Sequence, residues 1–387
     1  MVTENRIRRV AIFADFFNSL GGTEYYNALL AENLSARGID IRVFSGEKPE
    51  LTYWNEVLRK SGIEIVSPNE LYQHKALRDI ERHFVTEISS NFDAWQPDVI
   101  HSHPAGKLLL SWFELNQHSH VPVIATEWTT PSVFTSHWFL PEIKKFQDNI
   151  KAYIAPCEAV HDGIINYHTY SGPVHIIPHL IKVPPFLAEG VPQTQDENFS
   201  VGCISRFAVE KGIDFLMGAW AKVVKAVPGA TLHLYGHGPD EHRLQEMSQC
   251  LGIKESVHFE GVFQPITGID AIAHRHSIFV QPSLFESIPT SVIELIGRRR
   301  AIVASNVGGL PELIGGDAPC GLLVEPGNTE ALGDALIYLL RDKDLVKTFQ
   351  ASAQHKFSTA YNIEKVTDQI LNVYRSVTPY LSPGRGG

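Results

Sequence analysis

The sequence predicts an α/β fold in two domains, on three observations. Short apolar runs of strand type alternate with segments whose apolar residues recur at helical spacing. The alternation comes in two series of similar length, separated by Pro184-Pro185 and the stretch 191–198 (VPQTQDEN), which has the composition of a linker. At 387 residues the chain also exceeds a usual single core. The expected boundaries are an N-terminal domain 1–180, a linker 181–198 and a C-terminal domain 199–362. Two βα domains leave a cleft between them, and in open α/β sheets ligands bind outside the carboxyl ends of the strands.

In the first series, 9–14 (RVAIFA) reads as a strand and 15–22 as a loop ending in Gly21-Gly22. A helix over 23–37 follows, with Tyr26, Leu29, Leu30 and Leu34 on one face and Gly38 as its stop. Strands then follow at 40–44, 63–66, 99–101, 121–125 and 152–155, with helices over 77–92 and 108–115. In the second series, strands are expected at 200–204, 231–235, 257–260, 278–281 and 301–304. Helices are expected over 212–227, 241–251, 269–274 and 292–300.

Composition narrows the function classes. With 44% hydrophobic and 20% charged residues this is an ordinary globular chain. It has no 18-residue apolar run and no apolar leader with a cleavage site, so a cytoplasmic protein is expected. The net charge of −10 argues against nucleic acid and against an anionic membrane surface. Arg6, Arg8 and Arg9 read as a solvated start to the first strand. Cys157, Cys203, Cys250 and Cys320 lie far apart, which suits buried thiols and neither zinc nor a disulfide framework.

Chemistry concentrates in three loops. In the stretch 285–294 (FESIPTSVIE), Glu286 lies between a strand and a helix, and Glu294 lies about a turn inside that helix. Pro289 suits a first helical position, leaving the N–H groups of Thr290 and Ser291 as a phosphate seat. Two carboxylates flanking that seat fit a ligand bearing both phosphates and hydroxyls, although acids also favour helix starts for the macrodipole alone. The loop 205–212 (SRFAVEKG) brings Arg206 and Lys211 to another helix start, a pyrophosphate site or a plain surface pair. The paired Gly21-Gly22 allows a close backbone approach to an anion, but it is not G-x-G-x-x-G and no ribose-binding acid ends the second strand.

As a set, ISRFAVEKGIDFL, LYGHGPDEHRL, VHFEGVF, the E-x7-E stretch and ASNVGGLPELI, together with the GGTE loop, resemble the retaining glycosyltransferases of family 4, the group of glycogen synthase and the phosphatidylinositol mannosyltransferases. The resemblance covers nearly the whole chain and is dense over 199–330. It implies the GT-B fold: two Rossmann-like βαβ domains with parallel sheets facing an interdomain cleft, the first completed by a C-terminal helix over 363–376. It implies transfer of a sugar from a nucleotide diphosphate sugar, UDP-linked, to a hydroxyl of a small-molecule, glycan or lipid-linked acceptor, a soluble one favoured. No cofactor or metal is expected, because the departing phosphate deprotonates the acceptor.

By the same resemblance Arg206 and Lys211 hold the donor diphosphate, Glu286 meets the sugar hydroxyls and Glu294 the ribose. The backbone of Ser287, Ile288, Thr290 and Ser291 covers sugar and phosphate. Gly21 and Gly22 close from the other domain, and Val262 reads the base. The family's histidine after strand 121–125 is replaced here by Glu127. That carboxylate would repel a diphosphate unless protonated or turned toward the acceptor. The alternatives are that Glu127 binds a cationic acceptor group, or that a nearby histidine, His103 or His137, takes over. Ile177-Pro178-His179-Leu180 departs from the family's Pro-Asn-Gly and is expected to alter the hinge. The aromatic run 128–140 suits an acceptor platform, an oligomer contact or core packing. Arg298-Arg299-Arg300 reads as a helix end, and Asp342-Lys343-Asp344 as a solvated helix face. Two alternatives stay open: a non-catalytic nucleotide-sugar-binding partner subunit, and a nucleotide-sugar epimerase or sugar phosphorylase on the same fold.

Overall fold

A computed structural model of the chain describes residues 6–15, 17, 21–46, 53–67, 77–129, 141–183, 199–263 and 267–378. The chain divides into two compact units. Unit 1 comprises Met1–Leu180 with Ile363–Gly387, and unit 2 comprises Ile181–Asn362.

Unit 1 is built on seven strands: β1 (Arg9–Ala14), β2 (Asp40–Ser45), β3 (Glu64–Val66), β4 (Val99–His103), β5 (Val123–Thr126), β6 (Ile150–Ala155) and β7 (Val174–Ile176). All pair in parallel, in the order β3-β2-β1-β4-β5-β6-β7. Strands buried on both faces become continuous apolar runs, and β1 shows this over Val10–Phe13, which is fully enclosed. Phe13, Phe44, Phe92 and Trp112 pack edge to face or tilted at 4.8–6.2 Å. Arg6 and Arg8 are exposed, as expected, while Arg9 is half-buried and its guanidinium donates to the carbonyls of Trp95 and Gln96. The helix Ile363–Val377 packs against β6 and the helix Gly22–Ala36.

Unit 2 carries β8 (Ser200–Ile204), β9 (Thr231–Tyr235), β10 (Val257–Gly261), β11 (Ile278–Gln281), β12 (Ala301–Ser305) and β13 (Gly321–Val324). Its parallel order is β10-β9-β8-β11-β12-β13. The helices Ile213–Ala226 and Thr329–Arg341 pack together over an apolar core centred on Trp220, Leu216, Leu336 and Leu232.

In each unit the order reverses once: between β1 and β4 in the first, between β8 and β11 in the second. Loops leaving the two central strands there diverge, and ligands bind in the crevice so formed.

The boundaries differ from expectation for local reasons. β5 starts at Val123 because Pro122 has no N–H for the ladder, although its carbonyl accepts from Ile100 N at 2.9 Å. Pro289 is the N-cap of the helix Thr290–Gly297, not its first residue. Asp342 lies between two helices and caps the second, accepting from Leu345 N at 2.9 Å, so Asp342-Lys343-Asp344 is a helix junction. Cys157, Cys203 and Cys320 are buried, but Cys250 is exposed. The helix Glu158–Gly163, its π-turn Ile164–His168, and β7 and β13 were not expected. Residues 130–140, His137 among them, and the linker segment 184–198 lie outside the described residues.

Candidate active site

In unit 2 the loops after β8 and β11 leave the sheet side by side, and there the charged residues meet. Lys211 Nζ lies 2.8 Å from Glu286 Oε2 although the two are 75 positions apart in the chain. Glu286 is held further by Ser283 Oγ at 3.3 Å, which itself accepts from Gln281 Nε2 at 2.8 Å. This polar chain starts on the last residue of β11 and fixes the carboxylate in a largely buried setting. A lysine ammonium has three N–H donors, so one can orient on Glu286 while two serve an anion.

The loops are locked together by backbone. Leu284 N and Phe285 N both donate to Glu210 O, at 2.9 and 3.2 Å. Gly212 sits at φ +62°, and a Cβ there would lie 2.2 Å from Pro282 O. On the other side Gly308, at φ +55°, lies against the Glu286 carbonyl, 1.8 Å from where a Cβ would stand. Gly309 N donates to Ser287 O at 2.5 Å. Both glycines combine a left-handed backbone with a contact that no side chain permits. The NVGGLPEL segment thus buttresses the Glu286 loop.

Arg206 is exposed and pairs with Glu210, four residues along. The helix Thr290–Gly297 opens with no side-chain cap. Its first turn bonds run from Val292 N and Ile293 N to Pro289 O, at 3.0 and 3.3 Å. Thr290 and Ser291 precede them, with N–H groups directed out of the helix start. Ile288 is buried beneath this turn. Glu294 lies one turn in. Burial pushes its carboxyl up to about 7, with Arg298 opposing and Asp270 adding to the rise. Arg298 is fully enclosed. It binds Asp270 Oδ1 at 2.6–2.7 Å and donates to Glu294 O at 3.0 Å, tying the helix end to Thr267–Arg275. Val262 follows β10 and is 69% exposed.

In unit 1, Gly21 has an extended backbone and Gly22 begins its helix. The Asp15 carboxylate, in the loop after β1, accepts from Lys107 N at 2.8 Å and Leu108 N at 2.9 Å, capping the helix that follows β4. His103 ends β4 and is buried, stacked on Trp128 at 5.8 Å and beside His101 at 3.9 Å. Burial, then His101, holds its imidazole well below 6.5. Glu127 is not brought to His103. Glu127 N extends the ladder to Ile154 O, so residues 127 and 128 point to opposite sides of the sheet. The carboxylate Oε1 accepts from Trp128 N at 3.0 Å, and Oε2 lies 3.7 Å from His168 Nε2. Trp128 is the residue that faces His103. His179 is buried in the same ring cluster, 4.7 Å from Trp128, where it packs within unit 1.

Sequence reasoning missed Ser283, Glu210 and Asp15, which lie in the loops that follow β11, β8 and β1. It also missed Trp128 and His179 as cluster members, a matter of strand phase. A cavity of about 290 Å³ in unit 1 lies at the amino ends of β5 and β6, between Pro122, Asn149 and Lys151. That is the opposite edge from the loops above.

Comparison with known proteins places this geometry in a family. A family model for Glycosyltransferase Family 4 matches residues 20–183, and one for Glycosyl transferases group 1 matches 198–342. The chain is 25% identical over 372 residues to the phosphatidyl-myo-inositol mannosyltransferase of Mycobacterium leprae, covering 93% of this chain and 94% of that one. It is 26% identical over 174 residues to the alpha-D-kanosaminyltransferase of Streptomyces kanamyceticus, covering 45% of each. The match therefore spans less than half the length of that relative. The crystal structure of Anabaena HepE in complex with UDP superposes with a TM-score of 0.76 at 18% identity, covering 95% of this chain and 99% of that one, which shows a common fold. The chain belongs to the family 4 glycosyltransferases and has their GT-B fold.

Proposed function

We propose that this protein transfers a glycosyl group from a nucleotide diphosphate sugar, UDP-linked, to a hydroxyl of a soluble acceptor, with retention of configuration and without a metal ion. The observation that carries this reading is the Lys211–Glu286 pair at the β8/β11 crevice, beside Arg206 and the uncapped start of Thr290–Gly297. Cations and helix N–H groups meet a diphosphate, and carboxylates accept from hydroxyls. Glu294 on the same helix suits the ribose. The UDP bound to HepE, a protein of the same fold, supports a uridine nucleotide.

In the reaction, the bond from the anomeric carbon to the β-phosphate oxygen breaks while the acceptor oxygen bonds that carbon on the same face. The acceptor proton passes to the departing phosphate. Charge grows on the diphosphate, where Lys211 and Arg206 stabilise it. Glu286 orients the sugar and keeps the Lys211 ammonium in place. The reading as a non-catalytic partner subunit loses its motive, since it rested on a carboxylate at 127 facing the diphosphate. The Glu127 side chain instead holds the Trp128 backbone and approaches His168.

The test is incubation of the protein with UDP-sugars, alone and with an acceptor panel, followed by mass spectrometry and NMR of the anomeric linkage. A transferred α-linked sugar from an α-linked donor, formed equally in EDTA, is expected. An inverted linkage or a dependence on added metal would refute those parts. A new UDP-sugar formed without acceptor would mean an epimerase.

A further inference from the structure

The segment that braces the Glu286 loop is itself held from behind. Gly309 N donates to Ser287 O at 2.5 Å, and Gly309 O accepts from Leu313 N at 3.1 Å. One residue therefore both grips the loop and opens the helix Leu310–Ile314. That helix has five residues, roughly 8 Å of length at the usual rise per residue. So short a helix has little stability of its own and is fixed by its surroundings. Leu310, Leu313 and Ile314 are fully enclosed and set its depth. Its far end is set by polar contacts.

The last four carbonyls of a helix have no partner within it. In Leu310–Ile314 each of them meets a donor from outside. Pro311 O accepts from Gly315 N at 2.8 Å, and Ile314 O from Cys320 N at 2.9 Å. Leu313 O accepts from the Cys320 thiol at 3.3 Å. Glu312 O accepts from Lys356 Nζ at 3.3 Å, and the same ammonium donates to Gly315 O at 2.7 Å. Lys356 lies 41 positions beyond Gly315, half-buried on the helix Lys343–Ala360. Burial pulls its ammonium below the ordinary lysine value, with the Cys320 thiol opposing. A charged group brought into such a setting needs acceptors, and its bonds to carbonyls are stronger than those of a neutral donor. The lysine's own helix is anchored at the same site. It packs against β12 and against Thr290–Gly297, where a Cβ on Gly297 would stand 2.8 Å from Phe357 Cε2. One helix thus steadies Thr290–Gly297 by packing and Leu310–Ile314 through Lys356.

We propose that Lys356 is a positioning residue for the transfer reaction: it holds Leu310–Ile314 where Gly309 fixes Ser287 and, through that backbone, the Glu286 carboxylate. This rests on the glycosyltransferase reading above, since the loop it steadies carries Glu286. Lys356 acts through the backbone of the 308–315 segment, and its donors rather than its stem supply the effect.

The experiment compares the full chain with Lys356→Met, which keeps the stem and removes the donors, and Lys356→Arg, which keeps charge and donors. Amide hydrogen exchange is read by mass spectrometry over 284–291, over 307–315 and, as a reference, over the helix Thr329–Arg341. In Lys356→Met, exchange should rise about threefold or more in the first two segments and stay at the wild-type rate in the reference helix. Its kcat should fall about tenfold, while KM for the UDP-sugar changes by less than about threefold because Lys211 and Arg206 remain. Lys356→Arg should bring both readouts back toward the wild type. Thermal melting confirms that each variant is folded, and Lys356→Gln replaces a methionine variant that is not. The proposal is overturned if exchange over 284–291 is unchanged, or if it rises equally in the reference helix. It is overturned as well if kcat holds while the loop loosens, or if Lys356→Arg behaves as Lys356→Met. A wild type that transfers no sugar refutes the glycosyltransferase reading, and the exchange data then decide the link from Lys356 to the Glu286 loop on their own.

Discussion

The two switch points of this molecule share a topology and differ in chemistry. At β8/β11 the loops present ionised groups in pairs: Lys211 with Glu286, Arg206 with Glu210, and Arg298 with Asp270 on the supporting helices. At β1/β4 and the neighbouring end of β5, aromatic rings and imidazoles kept neutral by burial gather, and the carboxylate there, Asp15, is taken up in capping the helix after β4. On the proposed function the first crevice takes a ligand that brings charge, whereas the second presents neutral side chains. The fold supplies the location, and the residue types supply the chemistry.

The comparison breaks first at Lys211. Lys211→Ala should lower kcat by about 10³-fold, since it removes the cation that meets the charge developing on the leaving group. UDP affinity should fall far less, as read by calorimetry on the same protein. Glu286→Gln should cost about 10²-fold in kcat, because a neutral amide neither orients the lysine nor accepts as strongly from sugar hydroxyls. Near-full activity in both variants would mean that the charged crevice is not the working one.

Gly308→Ala tests the buttress. A Cβ there would stand 1.8 Å from Glu286 O on a backbone at φ +55°, so a cost of about 1–3 kcal/mol is expected from the backbone alone. A lowered melting temperature with reduced turnover is the predicted outcome, and an unchanged melt would show that the loop can move aside.

The smallest expected effect sharpens the picture by pH. The Glu294 carboxyl sits near 7 in the folded chain against an ordinary value of 4.5, through burial, with Arg298 opposing and Asp270 adding. Between those values the unfolded chain loses the proton while the folded one keeps it. The group therefore costs stability increasingly as pH rises from 4.5 to 7, and fully above 7. Glu294→Gln should melt higher than the wild type at pH 8 and equally at pH 4. The ionised carboxylate is also the better acceptor for a ribose diol. UDP affinity of the wild type should rise as pH climbs through 7, and the variant should bind about tenfold more weakly at pH 8 without that step.

The central strands of both sheets could be read closely from sequence because parallel strands buried on both faces become unbroken apolar runs, whereas the short, half-buried edge strands β7 and β13 could not. The expected range 278–281 and the observed β11 coincide. Contacts across the switch points could not be read, since Lys211 and Glu286 meet only through strand order, which no local pattern encodes. The assignment around Glu127 turned on phase. Moving the start of β5 from 121 to 123 and its end to Thr126 makes residue 127 the ladder's continuation, with its side chain directed at His168. Residue 128 then faces the rings. His179 was read as part of a hinge because 177–180 departs from the family's Pro-Asn-Gly before the linker, and only the packing around Trp128 reveals its setting.

The position of Tyr374 in the chain carries a further consequence, for biosynthesis. Its hydroxyl meets His101 on β4, and its helix belongs to unit 1, while all of Ile181–Asn362 is made in between. A ribosome makes that helix only after all of unit 2. Unit 2 is continuous and can complete its core during synthesis, whereas unit 1 must wait for the helix that packs on β6 and on Gly22–Ala36. In translation the second half of this protein is thus positioned to finish before the first, and a stop codon placed just before residue 363 would spare unit 2 and cripple unit 1.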